Sequence, residues 1–405
     1  MKDIITTYEH SILTIGKDFS EKHLSALEKF LGGNDNFPYY SLIHRGIKFK
    51  QYVGILKVGD LTIEVLPKLD DVVAEETEWR KRLTYMLSKV LQLQSSITSS
   101  VFQNTTQSKI LDIFLLKYLN EVELLLHKGL IKSYHRKTDN KNSIRGKLLV
   151  SQNITKNIIH QEKFVVNFTT YDYNNVLNSV LRQALEVVLK ITLNSTIKGK
   201  TKNLLLTFPE VKPISNIVNS IQRIVYDRKN EDYKTAIELA KLILSNYTPD
   251  LQFGRNDVFA LMFDMNKLWE EFVSKTLSSM LPDATVLAQK NNYYFVLNGK
   301  TSKKIRPDII IKTKDDIFVL DTKWKKEKVD FPADADLKQM YHYLKFYKAK
   351  KSALLYPSKD VKVDNGNFLC EKGINDGICN LIFLPCPQRD VVDTVWKDTI
   401  TDFLN

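Results

Sequence analysis

Apolar positions recur at two different periods along this chain, and the changes of period divide it into three regions. Residues 1–74 mix both. Glu21–Phe30 carries helical spacing, whereas Gly54–Val58 and Leu61–Val65 are short β-branched runs joined by Gly59-Asp60, a two-residue hairpin signal. This region is expected to be an α+β domain. Residues 75–249 are dominated by the helical period. Ile110, Phe114, Leu115, Tyr118, Val122 and Leu125 form one broad apolar face closed by Gly129, a C-cap signal, and Val176 to Leu189 repeats the pattern. Such faces serve either as core or as a subunit surface. From 250 to 405 helix and strand signals alternate, which predicts an α/β domain.

Within that last region the pattern is specific. Leu261–Val273 reads as an amphipathic helix, with Met265, Leu268, Trp269, Phe272 and Val273 on one side. Ile309–Ile311 and Ile317–Lys323 read as strands, with the polar stretch 312–316 as a hairpin connection. Asp334–Lys348 reads as another helix, and Ala353–Tyr356 as a strand ended by Pro357.

The charged residues at these elements suggest chemistry. Pro307-Asp308 precedes the first strand, and Asp321-Thr322-Lys323 ends the second. Side chains alternate faces along a strand, so Asp321 and Lys323 emerge side by side. A pairing that brings Asp308 alongside gives two carboxylates and an ammonium in one pocket. Hard oxygen ligands of this kind hold Mg²⁺ or Mn²⁺. Such a metal polarises a phosphodiester and activates water, while a lysine stabilises developing charge. The same residues also suit a solvated hairpin with an incidental ion pair. Glu270 lies at the margin of its helix's apolar face, either as a further metal-directed acid or as an exposed helix glutamate. Gln339 and Tyr343 lie four apart on one helix face, to position a substrate phosphate or to pack on the sheet.

Helix, hairpin, helix and strand in this order form the core plan of the PD-(D/E)xK nucleases. The run Phe263-Asp264-Met265-Asn266-Lys267-Leu268-Trp269-Glu270 resembles the McrC family, the nuclease subunits of McrBC-type modification-dependent restriction systems. So do Pro307-Asp308 with Asp321-Thr322-Lys323-Trp324-Lys325, and Asp336-Leu337-Lys338-Gln339-Met340-Tyr341. Val53–Lys68 is similar to the family's N-terminal signature, and Arg145-Gly146-Lys147, Asp172–Asn178 and Tyr233–Leu244 are also family-like. The resemblance is weakest over 191–228 and after Ser358. It implies a restriction-endonuclease-like domain at 250–405, with Asp308 and Asp321 as metal ligands, Lys323 as the catalytic lysine and Glu270 as the additional acid. It also implies DNA as substrate, of the 5-methylcytosine-modified type. The expected partner is a McrB-like AAA+ GTPase, whose hydrolysis the N-terminal domain stimulates. Two other readings stand beside it: a stand-alone RecB- or Holliday-junction-like nuclease, and a non-cutting adaptor that regulates an NTPase.

Composition changes this picture little. Lysine and arginine outnumber aspartate and glutamate 59 to 47, a net charge of +12, which suits a polyanionic partner. Tyr134–Asn142, followed by Arg145-Gly146-Lys147, reads as a basic exposed loop: a solvated connection, a DNA-backbone contact or a contact with the NTPase. Lys303, Lys304 and Arg306 with Lys323, Lys325 and Lys326 form a second basic patch, suited to collecting phosphates. Three cysteines without a Cys-x-x-Cys pair speak against disulfides or a zinc site. Gly299-Lys300-Thr301 imitates the end of a P-loop, but Tyr294 stands where that loop needs glycine. The Met1–Thr6 start lacks the apolar stretch of a signal peptide, and no run has the length of a membrane span. The expected location is cytoplasmic.

Overall fold

A computed structural model describes residues 4–16, 18–32, 37–59, 61–69, 75–91, 110–248, 258–297, 300–325, 332–371 and 373–405. Met1–Asp3, Asp60, 250–257, Gly299 and Lys326, all invoked above, lie outside the described residues. The chain forms two units, one of residues 1–110 with 249–405, the other of residues 111–248.

In the first unit, one sheet contains β1 (Ile4–Tyr8), β5 (Tyr52–Val58), β6 (Leu61–Leu66) and β11 (Val258–Asp264) in the order β1-β6-β5-β11. β1 runs parallel to β6, while β5 pairs antiparallel with both β6 and β11. Residues 258–264 are thus a strand in the same sheet as Ile4–Tyr8, Tyr52–Val58 and Leu61–Leu66. Leu261–Asp264, expected as the first turn of a helix, are the end of that strand. The cause is a six-residue apolar run, Val258–Phe263, buried on both faces over its first five residues, which periodicity cannot tell from a helix segment. The helix begins at Met265, where the Asp264 carboxylate accepts the Asn266 N–H at 3.0 Å and the Lys267 N–H at 3.4 Å.

Gly54 has φ +136°, a region that disfavours other residues, and any Cβ there would collide with the Leu261 carbonyl oxygen of β11. A small antiparallel sheet of β2 (Ile12–Thr14), β3 (Tyr40–Ile43) and β4 (Gly46–Phe49) and the helix Glu21–Leu31 share a core with these strands. Leu27, Tyr40, Phe49, Leu56, Ile63 and Ala260 meet there. Burial of each large apolar side chain contributes roughly 1.5–3 kcal/mol.

The second sheet of this unit carries the candidate site. Its strands are β12 (Thr285–Ala288), β15 (Ile309–Lys312), β16 (Ile317–Thr322), β17 (Lys351–Ser358), β18 (Lys362–Leu369) and β19 (Asn375–Pro385), in the order β12-β15-β16-β17-β19-β18. β15 and β16 form the expected antiparallel hairpin, and β16, β17 and β19 run parallel. The helix Asp334–Tyr347 covers one face through Met340 and Tyr343, against Val319, Leu354 and Tyr356. The helix Met265–Met280 carries Trp269 and Phe272, which pack on Trp396 at ring distances of 5.5 and 5.7 Å. Pro357 does not end its strand, which continues to Ser358 paired with β19. Leu355 turns its C=O toward Lys323, so Pro357 faces the same side, beyond the β16 register that stops at Leu355. No donor is needed there.

In the second unit, the helices Ile110–Lys128, Val176–Ile191 and Lys234–Ser245 form where the helical period is clearest. The buried Tyr118 hydroxyl donates to the Leu181 carbonyl at 2.6 Å. The region is not only helical. Ser133–Lys141 is a strand (β7), paired antiparallel along its length with β9 (Phe164–Asp172), which also pairs with β8 (Lys147–Leu148). The expected loop at Tyr134–Asn142 is therefore mostly strand. Polar residues on both faces hid the alternation. Among the described residues, no helix is long and apolar enough to cross a membrane.

Candidate functional site

The hairpin sets the geometry. Ile309 lies opposite Leu320 where the register ends, and Asp308 and Asp321 are the next residues on the two chains. Two like charges close together repel. Asp321 is 2% exposed. Burial, and then the neighbouring Asp308 carboxylate, push its carboxyl up to about 6. Asp308 is also raised, by burial and by Glu270, although two hydrogen bonds from Thr322 oppose this. Thr322 N–H donates to Asp308 Oδ2 at 2.7 Å and Thr322 Oγ1 donates to the same oxygen at 3.0 Å.

Lys323 joins them. Its Nζ lies 2.8 Å from Asp321 Oδ2 and 3.2 Å from Asp336 Oδ1. Burial alone would lower this ammonium, but Asp321 and Asp336 hold it above the usual lysine value. The Lys323 N–H donates to the Leu355 carbonyl at 2.9 Å, which extends the parallel ladder and fixes the backbone under the side chain. Asp336, from the first turn of its helix, also holds Lys325 at 2.7 Å.

Glu270 reaches the same neighbourhood but is held differently. Its Oε1 accepts from Gln289 Nε2 at 2.6 Å, and burial raises its carboxyl, with Asp321 adding to the effect. Gln289 follows β12 with φ 49°. Its side-chain oxygen accepts from Arg306, and its backbone N–H donates to the Asp308 carbonyl at 2.8 Å. The carboxylates of Glu270, Asp308 and Asp321 thus influence one another. Even so, among the described residues no three acidic, histidine or cysteine side chains come together as a group that could hold a metal ion.

Gln339 and Tyr343 do share a face, and each is occupied. Gln339 Nε2 donates to Tyr343 Oη, whose hydroxyl donates to the Arg306 carbonyl at 2.9 Å. They therefore fix the chain just before Asp308. Lys303, Lys304 and Arg306 are exposed in the same segment, with Lys304 over the Tyr293 ring. In the second unit, Tyr134 and Tyr171 stack at 4.6 Å across β7 and β9, and Arg145 lies over Phe168. Gly146, at φ +77°, lets the chain pass close to Asn167 where a Cβ would collide.

Thr322, Gln289 and Asp336 are the parts of the site that sequence reasoning missed. Strand alternation puts Thr322 on the face opposite Asp321 and Lys323, and its backbone bond carries no side-chain signal. Gln289 is linked to Glu270 and Asp308 only through tertiary structure. Asp336 was legible only as an acidic residue in a helix's first turn.

The fold and this pocket together define a mixed α/β protein with a buried, mutually repelling carboxylate pair and a lysine at the ends of adjacent strands. The chain belongs to a known family: residues 47–357 match the McrBC 5-methylcytosine restriction system component. Among solved structures it is similar to a chain of the refined half-complex from the tetradecameric assembly of Thermococcus gammatolerans McrB AAA+ hexamers with bound McrC. That match has 20% identity and a TM-score of 0.70, over 99% of this chain and 100% of that one, and it bears on the fold. The cryo-EM structure of the Thermococcus gammatolerans McrBC complex matches at 21% identity and a TM-score of 0.49, over 69% of this chain and 88% of that one. Comparison with curated proteins gives no match.

Proposed function

We propose that this chain is a metal-dependent DNA endonuclease of the PD-(D/E)xK kind, the cutting subunit of a cytoplasmic modification-dependent restriction system. The observation that carries the reading is the buried pair Asp308 and Asp321 at the open end of the β15–β16 hairpin, close enough for one charge to act on the other, with Lys323 Nζ 2.8 Å from Asp321. Two buried carboxylates raised by burial and mutual repulsion are poorly stable alone and are relieved by a cation. Mg²⁺ characteristically takes one or two carboxylates and completes its shell with substrate phosphate and water, a demand that a carboxylate pair meets. Asp308 and Asp321 would hold the ion, with Glu270 as the further acid. Bound there, Mg²⁺ or Mn²⁺ supplies Lewis-acid activation of the phosphodiester and lowers the pKa of water.

The chain's own residues do the rest. Thr322 clamps Asp308 with two hydrogen bonds. Lys323 presents a permanent positive charge where negative charge develops on the phosphate oxygens. Gln339 and Tyr343 support the backbone that delivers Asp308. Lys303, Lys304 and Arg306 attract the DNA backbone. Residues 250–405 carry the cleavage chemistry, while 1–74 and 75–249 carry the contacts with a McrB-like AAA+ GTPase. Family membership and the likeness to the McrC-containing half-complex support that partner. The β7–β9 sheet, with Arg145 and Lys147, offers a surface for the partner or for DNA.

The test is cleavage of modified DNA by the chain with its GTPase and Mg²⁺. Asp308→Ala and Asp321→Ala should each lower the rate about a hundredfold or more. Cleavage at the wild-type rate by both variants would overturn the assignment.

A further inference from the structure

Trp324 directly follows Lys323, and it is 8% exposed. A buried indole N–H needs an acceptor. It finds one far away in sequence: Trp324 Nε1 donates to Glu9 Oε1 at 2.8 Å. Glu9 is the residue after β1 and is 6% exposed. The same oxygen accepts the Lys68 N–H at 3.1 Å, and the Glu9 N–H donates to the Leu66 carbonyl at 3.0 Å. One carboxylate therefore joins the ends of β1 and β6 to the segment carrying Lys323.

The connection reaches the other side of the site as well. The Trp324 ring packs on Trp269 at 5.4 Å, and Trp269 directly precedes Glu270. Glu9 is an expensive residue to keep there. Burial pushes its carboxyl up to about 7, and its Oε2 is buried without a hydrogen bond, the His10 Nε2 lying 3.9 Å away. A well-packed apolar pair in place of the carboxylate and indole would remove that desolvation cost. What the polar pair adds is direction: one indole orientation, and so one path for the chain between Asp321 and Lys325.

We infer that Glu9 is a positioning residue for DNA cleavage: through the Trp324 indole it fixes the Lys323 segment, so that the chemistry depends on the seating of the N-terminal sheet. This rests on the reading of Asp308, Asp321 and Lys323 as the cleavage centre. Glu9 touches no reacting atom, and its effect belongs in the rate of the chemical step rather than in DNA binding.

The test uses the full chain with its GTPase, saturating Mg²⁺ and single-turnover cleavage across DNA concentrations. Glu9→Ala should lower the limiting rate roughly 10–100-fold, with the half-saturating DNA concentration unchanged. Glu9→Gln keeps an acceptor oxygen and should recover most of the rate. Trp324→Phe keeps an aromatic ring, loses the donor and should match Glu9→Ala, and the double variant should lose no more than either single one. Thermal melts report folding; if Glu9→Ala does not fold, the comparison of Glu9→Gln with Trp324→Phe decides. A wild-type rate in Trp324→Phe, or losses that multiply in the double variant, overturns the inference. So does a Glu9→Gln variant that folds normally yet cleaves no faster than Trp324→Phe. Asp308→Ala in the same assay separates the two claims. If it cleaves normally, the cleavage centre itself is misassigned; if it is inactive while the Glu9 variants cleave at the wild-type rate, only the positioning role fails.

Discussion

Replacing Asp321 by asparagine should make the metal-free protein more stable at neutral pH while destroying its activity. Asparagine keeps the shape and removes the charge. In the folded protein the Asp321 carboxyl titrates at about 6 against an ordinary 3.8. A carboxyl raised in this way contributes stability that is fully present below the unfolded value and is lost as pH rises through the folded one. Wild-type protein in chelator should therefore lose stability between about pH 4 and 6, and stay low at pH 8. Each unit corresponds to about 1.4 kcal/mol, so a shift of two units sets a ceiling of roughly 3 kcal/mol. That shift already includes the opposing pull of Lys323, and in the variant Lys323 keeps Asp336 at 3.2 Å. A net gain of about 1 kcal/mol at pH 8 is expected, or about 1–2 °C in melting temperature. The assay is thermal unfolding at pH 5 and pH 8, in chelator and in Mg²⁺. Mg²⁺ should raise the melting temperature of wild type only. A variant less stable than wild type at pH 8 in chelator, by the same margin as at pH 5, would refute the argument that this pocket stores repulsion.

Gly54→Ala should cost about 2–4 kcal/mol in urea unfolding, or prevent soluble folding, because both φ and the β11 carbonyl forbid a Cβ; an unchanged midpoint would show that β5 and β11 separate freely. A fragment of residues 250–405 should be markedly less stable to urea than the whole chain, since it leaves β11 without β5 and Trp324 without Glu9; equal unfolding midpoints would contradict this. The purified chain alone should release no phosphate from GTP or ATP, because Tyr294 replaces a P-loop glycine; turnover that survives extensive purification would contradict it.

The site was the most legible part of the chain. Ile309–Ile311 and Ile317–Leu320 are short apolar runs around a polar connection, and alternation alone put Asp321 beside Lys323. The helices from Ile110, Val176 and Met265 were equally clear, because each buries one broad face. Legibility ended where structure depends on distant pairing. Ser133–Lys141 is a strand only because Phe164–Asp172 lies against it, and its exposed polar residues give no period. Val258–Met262 is apolar and buried on both faces, so the end of this strand reads as continuous with the helix that follows. Gln289 and Glu9 are tied to the candidate site by hydrogen bonds to residues distant in sequence, and nothing local marks such a residue.

The most direct test of the account is one measurement on the assembled pair with Lys323→Gln, in which DNA cleavage and GTP turnover are followed in the same reaction. Glutamine is one atom shorter but keeps a hydrogen-bond donor on the Asp321 and Asp336 side, and it removes the charge. The account predicts that cleavage falls about a hundredfold or more while GTP turnover stays at the wild-type rate. Cleavage at the wild-type rate would contradict the assignment of Lys323, and with it the claim that this pocket cuts DNA.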